Sequence, residues 1–149
     1  MSDELSDPKT KLVLIIEDDG PSRELLELTV KTEGFQVDSA ASGTEGVKKA
    51  DARTPDLIIL DFMLPGMSGY EVAKELQMGD ARAVPIFIVT GRRLDRVSAD
   101  QLRTEPNVKE YIEKPVKPPV LASLMHRALR TQPPLIDRKR DRGPLSGGW

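Results

Sequence analysis

The sequence predicts an α/β protein of the doubly wound class, a (βα)5 sandwich in which helices cover both faces of a five-stranded parallel sheet. Two observations lead to this prediction. Three runs, at residues 11–16, 57–60 and 84–89, are apolar without polar alternation, which is typical of strands buried on both faces. Segments with helical spacing separate them, and short loops between strands and helices favour parallel pairing through right-handed crossovers.

The first half of the chain is predicted to contain two strand–helix units. After the first strand, residues 21–33 repeat apolar side chains at spacings of three and four, and Gly34 is a typical stop signal for that helix. Residues 35–40 alternate weakly, as a short strand does. Ser42 with Glu45 forms a capping box, which predicts the start of a second helix.

The second half continues the same alternation. The buried strand at residues 57–60 ends in Asp61, and a turn-forming segment at 64–69 leads to a capping box made by Ser68 and Glu71. The capping box predicts a third helix, and the apolar run at 84–89 is the next strand.

The last two units are unequal. Residues 92–105 predict only a poorly apolar fourth helix, and residues 108–114 a short strand. Pro118 begins a final helix with a clear apolar stripe, and His126, beside that stripe, is expected to be exposed.

Composition restricts the function classes. The 149 residues, of which 38% are hydrophobic and 31% charged, fit one globular domain, and a net charge of −2 gives no basic excess for nucleic acid. Cysteine is absent, which excludes disulfides and thiolate metal sites. No run approaches the roughly 20 apolar residues of a membrane span, and the N-terminus lacks a signal-peptide pattern, so a cytoplasmic location is expected.

The predicted organisation is a flexible N-terminal segment at 1–10, one domain at 11–130, and a disordered tail rich in proline, glycine and basic residues at 131–149. We expect either a single-domain protein or one domain of a longer chain.

Acids and a hydroxyl follow the predicted strands. Glu17 and Asp18 follow the first strand, Asp61 ends the third and Thr90 the fourth, while Lys114 ends the fifth. Because the carboxyl ends of parallel strands share one edge, where α/β sheets bind ligands, these groups should meet. Crowded carboxylates require a raised pKa or a cation, and oxygen ligands suit Mg²⁺. An aspartate beside Mg²⁺ and a lysine can act as a nucleophile toward phosphorus.

From about residue 11 to residue 130, the chain resembles the receiver domains of two-component response regulators. Four segments in the family's order and near its spacing carry the resemblance: Ile-Glu-Asp-Asp at 16–19, Asp-Phe-Met-Leu-Pro-Gly-Met-Ser-Gly at 61–69, Val-Thr-Gly at 89–91 and Tyr-Ile-Glu-Lys-Pro at 111–115. Any one of them is a weak signal, but four in register are specific. The resemblance implies a flavodoxin-like fold with strand order 2-1-3-4-5, and a regulatory phosphoacceptor domain rather than a conventional enzyme.

The resemblance also implies roles for the site residues. Asp61 would accept a phosphoryl group from a histidine kinase or a histidine phosphotransfer protein. Glu17, Asp18, Asp61 and the backbone carbonyl of Met63 would hold Mg²⁺.

The same resemblance implies a switch. Lys114 would pair with the phosphoryl oxygens, Thr90 would move toward them, and Tyr111 would turn inward. The surface of the fourth helix, fifth strand and fifth helix would then change its affinity for a downstream protein, and it could serve a homodimer. The Lys114–Pro115 bond is expected to be cis.

Two further positions are implied to set the lifetime of the modification. Met63 and Arg92 lie two residues beyond the phosphoacceptor and the switch hydroxyl, and neither side chain is suited to orienting water. We therefore expect slow self-dephosphorylation.

The sequence also departs from the family pattern. Thr90 and Lys114 are further apart than is typical, and the usual Gly-Ala-Asp before the last strand is replaced by Glu-Pro-Asn at 105–107. The downstream partner is therefore not predicted.

Two alternatives remain. One is a pseudo-receiver that acts only as a protein-interaction module. The other is a phosphatase of the haloacid dehalogenase type, but that family needs a second acid where Met63 stands.

Overall fold

The computed structural model describes residues 4–91 and 96–134. Within them, five parallel strands form one sheet: β1 Leu12–Ile16, β2 Gln36–Ala40, β3 Leu57–Asp61, β4 Ile86–Thr90 and β5 Val108–Glu113. Their spatial order is β2-β1-β3-β4-β5, which confirms the predicted fold class and strand order.

Helices follow the strands in alternation, as predicted. In the described part of the chain they are α1 Gly20–Thr32, α2 Gly43–Ala52, α3 Gly69–Gln77, α4 Arg96–Arg103 and α5 Pro118–Leu129. The hydroxyl groups of Ser42 and Ser68 accept hydrogen bonds from the amides three residues on, as predicted for their capping roles. Gly34, past the end of α1, has a φ of 96°, which explains why a glycine ends this helix.

The three central strands are buried along their whole length, in agreement with their uninterrupted apolar sequences. Their side chains alternate between two hydrophobic cores, one on each face of the sheet. Leu14, Ile58 and Ile88 pack with residues of α2, α3 and α4, whereas Val13, Ile59 and Val89 pack with residues of α1 and α5. This double burial fixes the register of the strands and therefore which residues reach the carboxyl edge.

In the described residues, α4 has fewer buried residues than the other helices, as its poorly apolar sequence predicts. Its described part runs over Arg96–Arg103 and ends two residues before the predicted end at 105, and Leu102 is its buried residue. The first four positions of the predicted helix, residues 92–95, lie outside the described residues.

Two expectations differ from the structure at the amino edge of the sheet, where the strands begin. The segment before β1, predicted to be flexible, contains a short 3-10 helix at Pro8–Thr10, and Ser6 pairs with Thr131 in an isolated β-bridge. His126 was expected to be exposed but is only 7% exposed, because α5 turns it toward Glu33 and Phe35. Of the predicted tail, residues 135–149 lie outside the described residues.

None of the helices in the described residues combines the length and the apolar character of a membrane span.

Candidate functional site

The predicted site residues converge at the carboxyl edge of the sheet. Asp61 is the last residue of β3 and Thr90 the last residue of β4, and both are buried. Glu17 directly follows β1 and is almost completely buried, and Lys114 directly follows β5. The parallel sheet therefore places four chemically active side chains from four strands at one edge.

Three carboxylates form a compact cluster. One oxygen from each of Glu17, Asp18 and Asp61 lies within 4.8 Å of the others, and Asp18 is the exposed member that faces solvent. All three offer hard oxygen ligands, and a partly exposed site leaves room for the water molecules that Mg²⁺ retains. The donor set therefore fits Mg²⁺.

Lys114 supplies the positive charge in this cluster. Its Nζ lies 2.5 Å from Oε1 of Glu17 and 3.7 Å from Oδ2 of Asp61, so one ammonium group serves two buried carboxylates. The Lys114–Pro115 peptide bond is cis, which confirms the expectation.

The pKa directions of Glu17 and Lys114 reflect the excess of carboxylates over the single ammonium group in this cluster. Burial raises the pKa of Glu17 above its ordinary 4.5, the contact with Asp61 raises it further, and the hydrogen bond from Lys114 only partly opposes them. For Lys114, burial lowers the pKa, but the pairing with Glu17 and the charges of Asp61 and Glu17 outweigh burial and leave it above 10.5. The lysine is therefore firmly charged, whereas the buried carboxylate of Glu17 has less counter-charge than its burial requires.

Hydrogen bonds of the adjoining loops hold two of the acids. The amide of Met63 donates to Oδ1 of Asp61 at 3.1 Å, and the amide of Asp19 donates to Oε2 of Glu17 at 3.2 Å. Asp19 itself is the N-cap of α1, with its carboxylate accepting from the amide of Ser22.

The loop after Asp61 turns back on itself so closely that it requires a glycine. A Cβ at Gly69 would lie 2.7 Å from the Cα of Phe62, and the amide of Gly69 donates to the carbonyl of Phe62 at 2.9 Å. Gly69 is the last residue of the segment 61–69 singled out in the sequence. Its lack of a side chain allows the start of α3 to lie next to Asp61 and Phe62.

Two of the other predicted positions, Met63 and Tyr111, have exposed side chains. That of Met63, two residues beyond Asp61, is half exposed, and that of Tyr111, on β5, is also exposed to solvent. In the sheet, Tyr111 pairs with Ile88, two residues before Thr90. Arg92 lies outside the described residues.

An open groove of about 390 Å³ runs from Lys114 toward α1. Ser22, Leu25 and Leu26 form its α1 side, and Pro115 and Val116 complete the side that contains Lys114. The groove therefore places an apolar surface beside Lys114.

Sequence reasoning missed Arg23. Its Nη1 donates to the backbone carbonyls of Glu17 at 2.9 Å and of Asp18 at 3.3 Å. The only signal in the sequence was a basic side chain one helical turn after the acidic segment, a pattern that is also common in unremarkable helices.

Comparison with known proteins shows which family the chain resembles in sequence. A family model for the response regulator receiver domain matches residues 13–126. The transcriptional regulatory protein AfsQ1 of Streptomyces coelicolor is 39% identical over 118 residues, which cover 79% of this chain and 51% of that protein. The chain thus spans about half the length of the curated relatives it matches.

Solved structures agree with the fold. The chemotaxis protein CheY4 of Vibrio cholerae has a TM-score of 0.74 and 27% identity, covering 80% of this chain and 98% of that one. The receiver domain of the sensor histidine kinase PA1611 from Pseudomonas aeruginosa has a TM-score of 0.72 and 26% identity, with coverages of 80% and 97%. That second structure contains a magnesium ion coordinated in its active-site cleft.

Proposed function

The chain belongs to the family of response regulator receiver domains, and from this premise we propose that it is a phosphorylation-dependent switch in a two-component or phosphorelay system. The observation that carries the proposal is the arrangement around Asp61. This buried carboxylate ends β3, lies with Glu17 and Asp18 in one cluster, and has the ammonium group of Lys114 at 3.7 Å.

In this proposal Asp61 is the nucleophile. An oxygen of its carboxylate attacks the phosphorus of a phosphohistidine on a histidine kinase or a histidine phosphotransfer protein. The new P–O bond forms an acyl phosphate, the P–N bond breaks, and the departing imidazole takes up a proton. The groove between α1 and Pro115 supports this role because it gives a protein donor access to the site.

Glu17, Asp18 and Asp61 would hold Mg²⁺, together with the backbone carbonyl of Met63. A bound Mg²⁺ would supply the positive charge that this cluster lacks and that a transferring phosphoryl group requires. Burial of Glu17 and Asp61 supports the proposal, because electrostatic interactions in a site withdrawn from water are stronger than at the surface.

Lys114 and Thr90 would read the modification. The ammonium group of Lys114, now shared between Glu17 and Asp61, would pair with the phosphoryl oxygens, and the hydroxyl of Thr90 would hydrogen-bond to them. Tyr111 is exposed on the neighbouring strand, and its inward movement would change the surface formed by α4, β5 and α5. A downstream protein or a second copy of the chain would recognise that surface.

Met63 and Arg92 would leave the acyl phosphate long-lived. The exposed thioether of Met63 offers no strong donor or acceptor with which to hold an attacking water molecule. We expect a phospho-Asp61 lifetime well beyond seconds, and Met63→Asn should shorten it. A wild-type lifetime of only seconds would contradict this part of the proposal.

The decisive experiment is treatment with acetyl phosphate and Mg²⁺, followed by intact-mass and peptide analysis. We expect one phosphoryl group on Asp61, none in Asp61→Asn, and full modification in the control Asp80→Asn, which changes an exposed acid outside the cluster. Turnover of phosphomonoesters would instead indicate the phosphatase alternative. Failure of Asp61 to be modified would indicate a pseudo-receiver.

A further inference from the structure

Arg23 contacts the backbone of two members of the acid cluster, Glu17 and Asp18, rather than their carboxylates. Its guanidinium leaves the first turn of α1 and folds back over the loop between β1 and α1. There Nη1 donates to the carbonyl oxygens of Glu17 and Asp18, at 2.9 and 3.3 Å. The backbone of Arg23 is anchored as well, since its amide donates to the carbonyl of Asp19 at 2.8 Å.

These two carbonyls have a particular geometric meaning. They belong to the peptide planes on either side of the Asp18 Cα, and peptide planes are rigid. Holding both carbonyls therefore restricts φ and ψ of Asp18, and with them the direction in which its side chain leaves the backbone. Asp18 is the exposed member of the cluster, so restricting its backbone has a larger effect than it would have at a tightly packed position.

The charge of Arg23 acts in the opposite sense. A guanidinium near three carboxylates competes with a divalent cation, so by charge alone its removal would strengthen metal binding. Part of that charge is paired elsewhere, because Nε of Arg23 lies 3.8 Å from Oε1 of Glu27. The geometric and electrostatic effects of Arg23 thus predict changes of opposite sign in the affinity for Mg²⁺.

We propose that Arg23 is a positioning residue for the Mg²⁺ site: by holding the carbonyls of Glu17 and Asp18, it keeps their carboxylates directed toward Asp61. This inference rests on the proposed function, because it concerns the metal site of the same switch. Residues that orient metal ligands without touching the metal typically change affinity by about 10- to 100-fold.

The test measures Mg²⁺ affinity by calorimetry in the unphosphorylated protein. Arg23→Met keeps the length of the stem and removes the donors, and we expect its dissociation constant for Mg²⁺ to rise about tenfold. Arg23→Lys keeps the charge but not the planar fork of donors. Its dissociation constant for Mg²⁺ should lie between those of Arg23→Met and the wild type. An unchanged or tighter affinity in Arg23→Met would overturn the inference, since that is the result expected from charge alone.

Glu27→Gln is the matched control. It removes the ion pair of Arg23 and leaves the hydrogen bonds to the two carbonyls, so its Mg²⁺ affinity should stay within about twofold of the wild type. Hydrogen exchange without metal gives an independent readout: the amides of Asp18 and Asp19 should exchange faster in Arg23→Met and not in Glu27→Gln. Equal exchange in both variants would also contradict the inference.

The two proposals fail in different ways. If the wild type binds Mg²⁺ but acetyl phosphate does not modify Asp61, the proposed switch is wrong and the role of Arg23 in the metal site stands. If Asp61 is modified while Arg23→Met binds Mg²⁺ as tightly as the wild type, the switch stands and the inference about Arg23 is wrong. A wild type without Mg²⁺ affinity would overturn the inference as well.

Discussion

The two edges of the sheet each contain a partly buried contact between a base and a carboxylate, and both contacts join the α1 side of the domain to the α5 side. At the carboxyl edge, Lys114 precedes α5 and pairs with Glu17, which precedes α1. At the amino edge, His126 lies near the end of α5 and pairs with Glu33, just past α1, at 2.9 Å. The similarity in position makes the difference in composition informative.

The difference lies in how completely the polar atoms are satisfied. Both ring nitrogens of His126 have partners, Glu33 on one side and the hydroxyl of Thr131 at 2.7 Å on the other, and the ring packs 5.0 Å from that of Phe35. At the carboxyl edge, one ammonium group faces a cluster of three acids. A polar cluster in which every group has a partner stabilises the fold. A cluster with an excess of negative charge is instead suited to binding a positively charged ligand.

The largest expected effect separates the two bases by function. Lys114→Met should slow the modification of Asp61 by acetyl phosphate about 100-fold or more, because the charge that stabilises the transferring phosphoryl group is lost. His126→Gln should leave that rate unchanged. The measurement is the initial rate of modification at saturating Mg²⁺. A rate for Lys114→Met within about threefold of the wild type would contradict the functional role assigned to Lys114.

The next effect separates them by stability. His126→Ala should lower the free energy of unfolding by about 2 to 4 kcal/mol, because it leaves a cavity beside Phe35 and takes a partner from Glu33 and Thr131. Urea denaturation measures the loss, and Arg127→Ala, at an exposed position on α5, is the control expected to change stability by less than about 0.5 kcal/mol. Equal losses in the two variants would show that the cluster at the amino edge is not stabilising.

At the carboxyl edge a substitution should have the opposite sign. Without divalent metal, Asp61→Asn should raise the free energy of unfolding by about 1 kcal/mol, because it relieves repulsion and leaves Lys114 to Glu17 alone. Adding Mg²⁺ should stabilise the wild type more than the variant, as binding to the folded state requires. A destabilised Asp61→Asn in metal-free buffer would contradict the idea that the cluster is unbalanced.

The smallest expected effect is a dependence of stability on pH. Because folding raises the pKa of Glu17 above 4.5, the carboxyl group of Glu17 binds a proton more strongly in the folded protein than in the unfolded chain. The contribution of Glu17 is therefore fully present below pH 4.5 and is lost as pH rises through the folded pKa. The free energy of unfolding without metal should fall in that window by less than the ~1.4 kcal/mol per pH unit that one proton allows.

Glu17→Gln tests this dependence, since it should lose this part of the slope while the rest of the pH profile stays the same. A steeper fall in Glu17→Gln than in the wild type would reverse the assigned direction.

The comparison also explains what could be read from the sequence. Asp61 and Thr90 were predictable because uninterrupted apolar runs mark buried parallel strands, and the residue that ends such a strand has a known place in the fold. Ser42 and Ser68 were predictable because capping depends on residues three positions apart.

The amino edge was not predictable in the same way. His126 and Glu33 are 93 positions apart, and nothing in the local pattern of α5 says that a histidine beside its apolar stripe meets a carboxylate from another helix. The bridge between Ser6 and Thr131 likewise joins two polar segments whose composition alone suggests no structure. Arg23 escaped notice because its partners are backbone carbonyls, which every residue type provides.

The bridge between Ser6 and Thr131 has a consequence for engineering. The amide of Ser6 donates to the carbonyl of Arg130 at 2.8 Å, and the amide of Gln132 donates to the carbonyl of Ser6 at 2.9 Å, so the backbone enters and leaves the domain side by side. Domains with adjacent ends tolerate circular permutation and insertion into a host loop. This one could be grafted as a cassette into a reporter protein, with its acidic edge facing away from the graft.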